Sequence, residues 1–96
     1  SKEVTFKSNS AELSAVTQTA VFKTDVLINY PPMMMSSQNA VFAYDEKTKL
    51  FDYLELQGRV ELRDENRRAV SENLKVDFST RQFTFSGQPR LYQGED

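Results

Sequence analysis

Apolar and polar residues alternate along most of this 96-residue chain. Along 16–28 the even positions Val16, Ala20, Phe22, Val26 and Ile28 are apolar, interrupted by Gln18 and Thr24. The odd positions are mainly polar there, with Val21 and Leu27 as exceptions. Along 54–63 Leu54, Leu56, Val60 and Leu62 share one parity, opposite Glu55, Gln57, Arg59, Glu61 and Arg63. Leu74, Val76 and Phe78 oppose Lys75 and Asp77; Phe83, Phe85 and Leu91 oppose Thr84, Ser86 and Arg90. A period of two is the signature of a strand with one buried face. A helix would mix charged and apolar residues on one side. The pattern predicts an all-β chain.

Short polar clusters divide the runs. Asp45-Glu46-Lys47-Thr48, Asp64-Glu65-Asn66-Arg67 and Ser79-Thr80-Arg81-Gln82 read as hairpin connections. Gly58 and Gly87 fall within or between apolar runs, where glycine marks a bulge, a bend or a corner of the sheet. Tyr30-Pro31-Pro32 is expected to interrupt pairing, since proline offers no ladder amide. Met33-Met34-Met35 has no strand period and reads as a loop. Its methionines either fill an irregular core gap or form an adaptable apolar patch for a lipid or partner.

The units also repeat. Stretches opening at Ser10, Ser37 and Ser71 each lead from polar into apolar residues. They close on Thr24-Asp25-Val26-Leu27-Ile28, Gly58-Arg59-Val60-Glu61-Leu62 and Gly87-Gln88-Pro89-Arg90-Leu91. A spacing of roughly 30 residues suits a stacked architecture in which one unit cannot bury its face alone.

Composition narrows the function. Charged residues are 27% and apolar residues 39% of the chain, which suits a single folded domain over 1–96. The net charge of −2 is spread over both halves, so the basic field of a nucleic-acid binder is missing. No run approaches a membrane span, and no signal peptide is visible. The chain begins at Ser1, which reads as an excised or processed segment that has left any targeting signal behind. With no histidine and no cysteine, a neutral-pH imidazole base, a thiolate nucleophile and a disulfide are all excluded. The acidic pairs Asp45/Glu46, Asp64/Glu65 and Glu95/Asp96 fall in turns or at the terminus, where solvated charge explains them. The reading is a non-enzyme with no metal and no cofactor.

Longer motifs carry a family resemblance. Tyr44-Asp45-x-x-Thr48-x-x-Phe51 is followed by Gly58-x-Val60-x-Leu62. Then come Ala69-x-x-x-x-Leu74-x-x-Asp77-Phe78-x-Thr80-x-x-Phe83 and Gly87-x-Pro89-x-Leu91. Over 37–93, and more weakly over 10–28, this resembles the OstA-like family of periplasmic lipopolysaccharide-transport proteins that includes LptA and LptC. Three departures stand out: Ser79 where the second unit has Asp45, with a turn two residues shorter; Thr24 in place of a glycine; and the Pro-Pro-Met-Met-Met stretch.

The resemblance implies an antiparallel β-jellyroll, or β-taco, built from repeated hairpins and open at both ends. It implies a periplasmic carrier or bridge for lipopolysaccharide, holding lipid A acyl chains and joining other OstA-like domains, or copies of itself, end to end. Each methylene buried contributes roughly 0.8 kcal/mol, so such a lipid needs a continuous apolar escort. The candidate groove is Phe22, Val26, Ile28, Phe42, Leu54, Leu56, Val60, Leu62, Leu74, Val76, Phe78, Phe83, Phe85 and Leu91. The same positions would equally form the plain core of a β-sandwich. Arg59, Arg63, Arg67 and Arg68 would meet lipid phosphates or form a solvated face balanced by Glu61, Asp64 and Glu65. Edge strands, including an unblocked run 3–7, offer templates for a partner chain. The competing reading is a structural β-repeat scaffold that binds protein through those edges and holds no lipid.

Overall fold

The computed structural model describes residues 3–94. Its strands are β1 (Thr5–Lys7), β2 (Ser10–Ser14), β3 (Thr19–Tyr30), β4 (Met33–Asp45), β5 (Leu50–Asp64), β6 (Arg67–Asp77), β7 (Gln82–Ser86) and β8 (Arg90–Gln93). All pair antiparallel in one sheet of order β1-β3-β4-β5-β6-β7, with β2 also on β3 and β8 also on β6. Four long central strands are thus flanked by two broken edges. The alternation had predicted this all-β class.

One transverse line bends every strand. Along it the register slips between Lys23 and Val26 on β3, between Ser36 and Asn39 on β4, and between Gln57 and Val60 on β5. Three consecutive left-handed pairs lie on this line: Thr24–Asp25 (φ 69° and 53°), Gly58–Arg59 (85° and 50°) and Gly87–Gln88 (80° and 56°). A bulge of this kind turns a strand and leaves a carbonyl without its ladder partner. Serine hydroxyls supply the missing donors. Ser8, Ser37 and Ser71 donate to the carbonyls of Ser10, Asn39 and Asn73 at 2.8, 2.9 and 2.7 Å. Two of the three repeat openings, Ser37 and Ser71, are therefore corner fasteners, buried and satisfied; in the first unit the fastener is Ser8 instead of the expected Ser10, which accepts through its carbonyl.

The bend folds the sheet onto itself. One half contributes Val26, Ile28, Met35 and Val60 to the core; the other contributes Ala40, Leu54, Leu56, Leu74 and Val76. Ring contacts cross between the halves, Phe6 to Phe42 at 5.0 Å and Tyr30 to Phe78 at 5.9 Å. The crease is one long side of the molecule, and the hairpin tips form two facing lips on the other.

Three sequence expectations need correction. Pro31-Pro32 does not open a loop; it is the tight turn between β3 and β4, with the ladder resuming at Tyr30↔Met33. Both prolines occupy the turn, where no ladder amide is required. The methionines then alternate like any strand, with Met35 buried at 1% exposure and Met34 facing outward. Second, Val16 is not on the apolar face. It sits on the β2–β3 hairpin tip, 94% exposed. Third, the residue equivalent to Asp45 is Asp77, not Ser79, and the two turns have the same length. Asp45 Oδ1 accepts from the amides of Lys47 and Thr48 (2.9 and 3.1 Å), and Asp77 Oδ1 accepts from those of Ser79 and Thr80 (3.0 and 3.3 Å). Each turn then passes through one left-handed residue, Lys49 (φ 61°) or Arg81 (φ 58°). Ser14 and Gln18 (φ 56°) hold the same places in the first hairpin, where Ser14 Oγ accepts from Thr17 N.

Candidate functional site: the apolar groove and its mouth

The fourteen candidate groove residues separate by depth. Val26, Ile28, Leu54, Leu56, Val60, Leu74 and Val76 are sealed in the core, each at most 2% exposed. Phe22, Phe42, Leu62, Phe78, Phe83 and Phe85 are half-buried and pack against that core. Leu91 stands apart: it lies on edge strand β8 opposite Ala69, 74% exposed. The buried seven form a floor and the half-buried six form walls.

Sequence alternation missed several members of the same surface. Phe6 stacks on Phe22 at 4.7 Å with nearly parallel rings. Phe51 meets Phe42 edge-on at 4.8 Å and Phe78 at 5.4 Å. Met35 is in the floor. Phe6 belongs to a strand of three residues, too short to show a period, and Phe51 follows a turn. Composition alone held the signal for them. All seven phenylalanines lie on the inner surface or its rim.

The two ends of the groove are lined differently. At the β1 end the Phe6, Phe22 and Phe42 rings fill the space between the half-sheets. At the β7–β8 end a 290 Å³ cleft separates Phe83 and Phe85 on one half from Leu62, Ala69 and Leu91 on the other. Between the lips lies a further cleft of 780 Å³, with Tyr30, Pro31, Pro32 and Met33 on one side. Leu50, Phe51, Val76, Phe78 and Phe83 lie on its other side, joined by Lys49, Ser79 and Arg81. Both volumes fall at or near the roughly 300–1,000 Å³ of small-ligand sites, and their walls are largely apolar.

Among the described residues no cluster of His, Cys, Asp or Glu could hold a metal. Asp45, Glu46, Asp64 and Glu65 lie at strand ends or in turns; the Glu95/Asp96 pair falls outside the described residues. The arginine cluster is largely neutralised by its own neighbours. Arg63 and Arg68 both reach Glu61 at 3.2 Å, and Arg67 forks onto Asp64 at 2.8 and 3.2 Å. That hydrogen bond and the Asp64 charge raise the Arg67 pKa further. Arg68 also lies 4.4 Å over the Tyr92 ring, clamping β8 to β6.

A bent sheet with an apolar interior open along its lips is a shape that sequence comparison can place. The profile of the family described as LptA/(LptD N-terminal domain) LPS transport protein matches residues 5–96. This chain belongs to that family. No curated protein matches the sequence. Among solved structures it is similar to LptH of Pseudomonas aeruginosa, the LptA-homologous periplasmic component of a conserved lipopolysaccharide transport device. The TM-score is 0.54 at 11% identity, over 99% of this chain and 96% of that one. At that identity the likeness is one of fold, and it identifies the folded sheet as the LptA-type β-jellyroll. The family is one of lipopolysaccharide transport, not of enzymes. In this LptA/LptD-family chain, no helix among the described residues is long and apolar enough to cross a membrane.

Proposed function

We propose that this chain is a periplasmic carrier or bridge domain that holds the lipid A acyl chains of lipopolysaccharide between its half-sheets. The observation that carries the reading is the 780 Å³ cleft between the lips, whose aromatic walls run directly into the sealed core. Membership in a lipopolysaccharide-transport family supports it, as does the periplasmic placement of LptH. Acyl chains need only a continuous apolar surface and release into a similar one, so no catalytic group is required. The contacting residues are the walls and rim: Phe51, Phe78, Phe83, Phe85, Leu62 and Leu91. The buried floor residues give the groove its shape.

The second reading is protein binding through the edges, either alone or joined to the first in an end-to-end bridge. β1–β2 and β7–β8 each present a side that pairs with no other strand among the described residues. An unpaired edge is a template for strand addition.

Titration with purified lipopolysaccharide separates the two readings. Wild type is expected to bind saturably. Phe83→Asp and Leu91→Asp should each weaken binding about tenfold or more, by placing a charge against the acyl chains. Leu91 is exposed, so its variant folds whatever happens at Phe83. A folded wild type that binds no lipid would favour the scaffold.

A further inference from the structure

The cleft between the lips is chemically lopsided. Among the described residues its only charged lining side chains are Lys49 and Arg81. Neither forms an ion pair among the described residues, unlike Arg63, Arg67 and Arg68 on the neighbouring face. The acids that begin their two hairpins are occupied: Asp45 Oδ1 accepts two turn amides, and Asp77 Oδ1 accepts two amides and the Ser79 hydroxyl. Lys49 and Arg81 hold equivalent left-handed positions on successive hairpins. Both line the same cleft as Phe51, Phe78 and Phe83.

The first hairpin breaks the series. There the equivalent residue is Gln18, whose side-chain oxygen accepts from Glu46 N at 3.0 Å and whose carbonyl accepts from Tyr44 N at 3.2 Å. The cationic rim is thus confined to the half of the groove nearer β7–β8. That is also the half that holds the 290 Å³ cleft, while Phe6 and Phe22 stack at the β1 end. Two unpaired cations over an apolar cleft with no acid in its lining complement an anionic head on an apolar tail.

We propose that Lys49 and Arg81 form a phosphate-binding rim for the headgroup of a phosphorylated lipid whose acyl chain lies in the cleft between the lips. The proposal rests on the carrier reading and adds to it a headgroup site and a polarity. Lipid seats toward the β7–β8 end, with its phosphate on the rim of the second and third hairpins. Arg63, Arg67 and Arg68, already paired with Glu61 and Asp64, are spectators to that contact.

The test uses the whole chain with two probes below their micellar concentrations, dodecyl phosphate and the uncharged dodecyl maltoside. Wild type should bind the phosphate about tenfold more tightly, the preference shrinking as salt is raised. In the double variant Lys49→Gln/Arg81→Gln the preference should vanish while maltoside binding stays unchanged. Gln18 shows that glutamine is accommodated at this left-handed position. A control, Arg59→Gln/Arg90→Gln, removes equal charge from exposed sites outside this cleft and should keep the preference. An undiminished preference in the first double variant, or an equal loss in the control, overturns the rim while leaving the carrier reading intact. Failure of folded wild type to bind either probe overturns both together. Inorganic phosphate should compete only weakly; if it binds as tightly as dodecyl phosphate, the site takes free anions and the lipid assignment falls.

Discussion

Leu56 and Phe83 both sit on the apolar parity of their strands, yet they do different jobs. Leu56 is wholly buried in the floor, where a charge would unfold the sheet. Phe83 is half-buried on the walls of both clefts, so its substitution reports on binding. Alternation tells which face a residue is on, but depth depends on what the opposite half-sheet lays over it. Asp77 gives a prediction at this scale. Its carboxyl is held below the ordinary 3.8, first by the Ser79 hydroxyl and next by the Thr80 amide. A group whose folded pKa is depressed stabilises the fold above its unfolded pKa and loses that contribution as pH falls through the folded value. Asp77→Ala should therefore be less stable than wild type near neutral pH, with the gap closing as pH drops below 3.8. Urea titrations at stepped pH check this; a gap that persists in acid would assign the effect to lost turn contacts instead.

At the scale of the element, the corner is the feature that makes a groove from a flat sheet. Three crossings, on β3, on β5 and between β7 and β8, place two successive residues at positive φ, with glycine leading in two and Thr24 in the other. A left-handed conformation costs a side-chain-bearing residue roughly 1–2 kcal/mol, and a β-branched one has least room for it. Thr24→Gly should accordingly stabilise by about 0.5–1 kcal/mol, after glycine's larger unfolded-state entropy is set against the relief. Gly87→Ala should destabilise by about 1–2 kcal/mol, since its φ is 80° and a Cβ there would lie 2.6 Å from Glu72 Cβ. Denaturant midpoints for the two variants should move in opposite directions. Parallel shifts would mean that the corner is not held by these pairs.

The whole molecule is a short folded trough whose two edges, β1–β2 and β7–β8, each keep a side unpaired among the described residues. Charge does little to blunt the edges: β1 carries Lys7 and β8 carries Arg90, while Pro89 precedes β8 instead of lying within it. These edges are the basis of the proposed end-to-end association. Light scattering over a concentration series should show mass rising above the monomer, and a mass that stayed monomeric to millimolar protein would count against it. In the proposed association the β7–β8 edge of one copy would meet an edge of the next, with Leu91 and Tyr92, both exposed on β8, at the junction.

The period of two, the polar turns and the spaced glycines were enough to specify antiparallel strands, three of the hairpin tips and the bends at Gly58 and Gly87, while the tips at Val16 and at Pro31-Pro32 were read otherwise. Those signals are local: side-chain parity, turn chemistry and positive φ each act within a few residues. The recurrent Ser and Gly positions were visible as a repeat, though their joint role appears only where Ser37 and Ser71 face the bulges of neighbouring strands. Tertiary structure decided the rest, because it depends on which half-sheet lies over which. That closure buried Met35 and brought Phe6 onto Phe22. It also left Leu91 in the open and set Lys49 and Arg81 along one cleft. Sequence fixes the face a residue occupies through local geometry; only the fold across the crease, a long-range packing event, determines what that face meets.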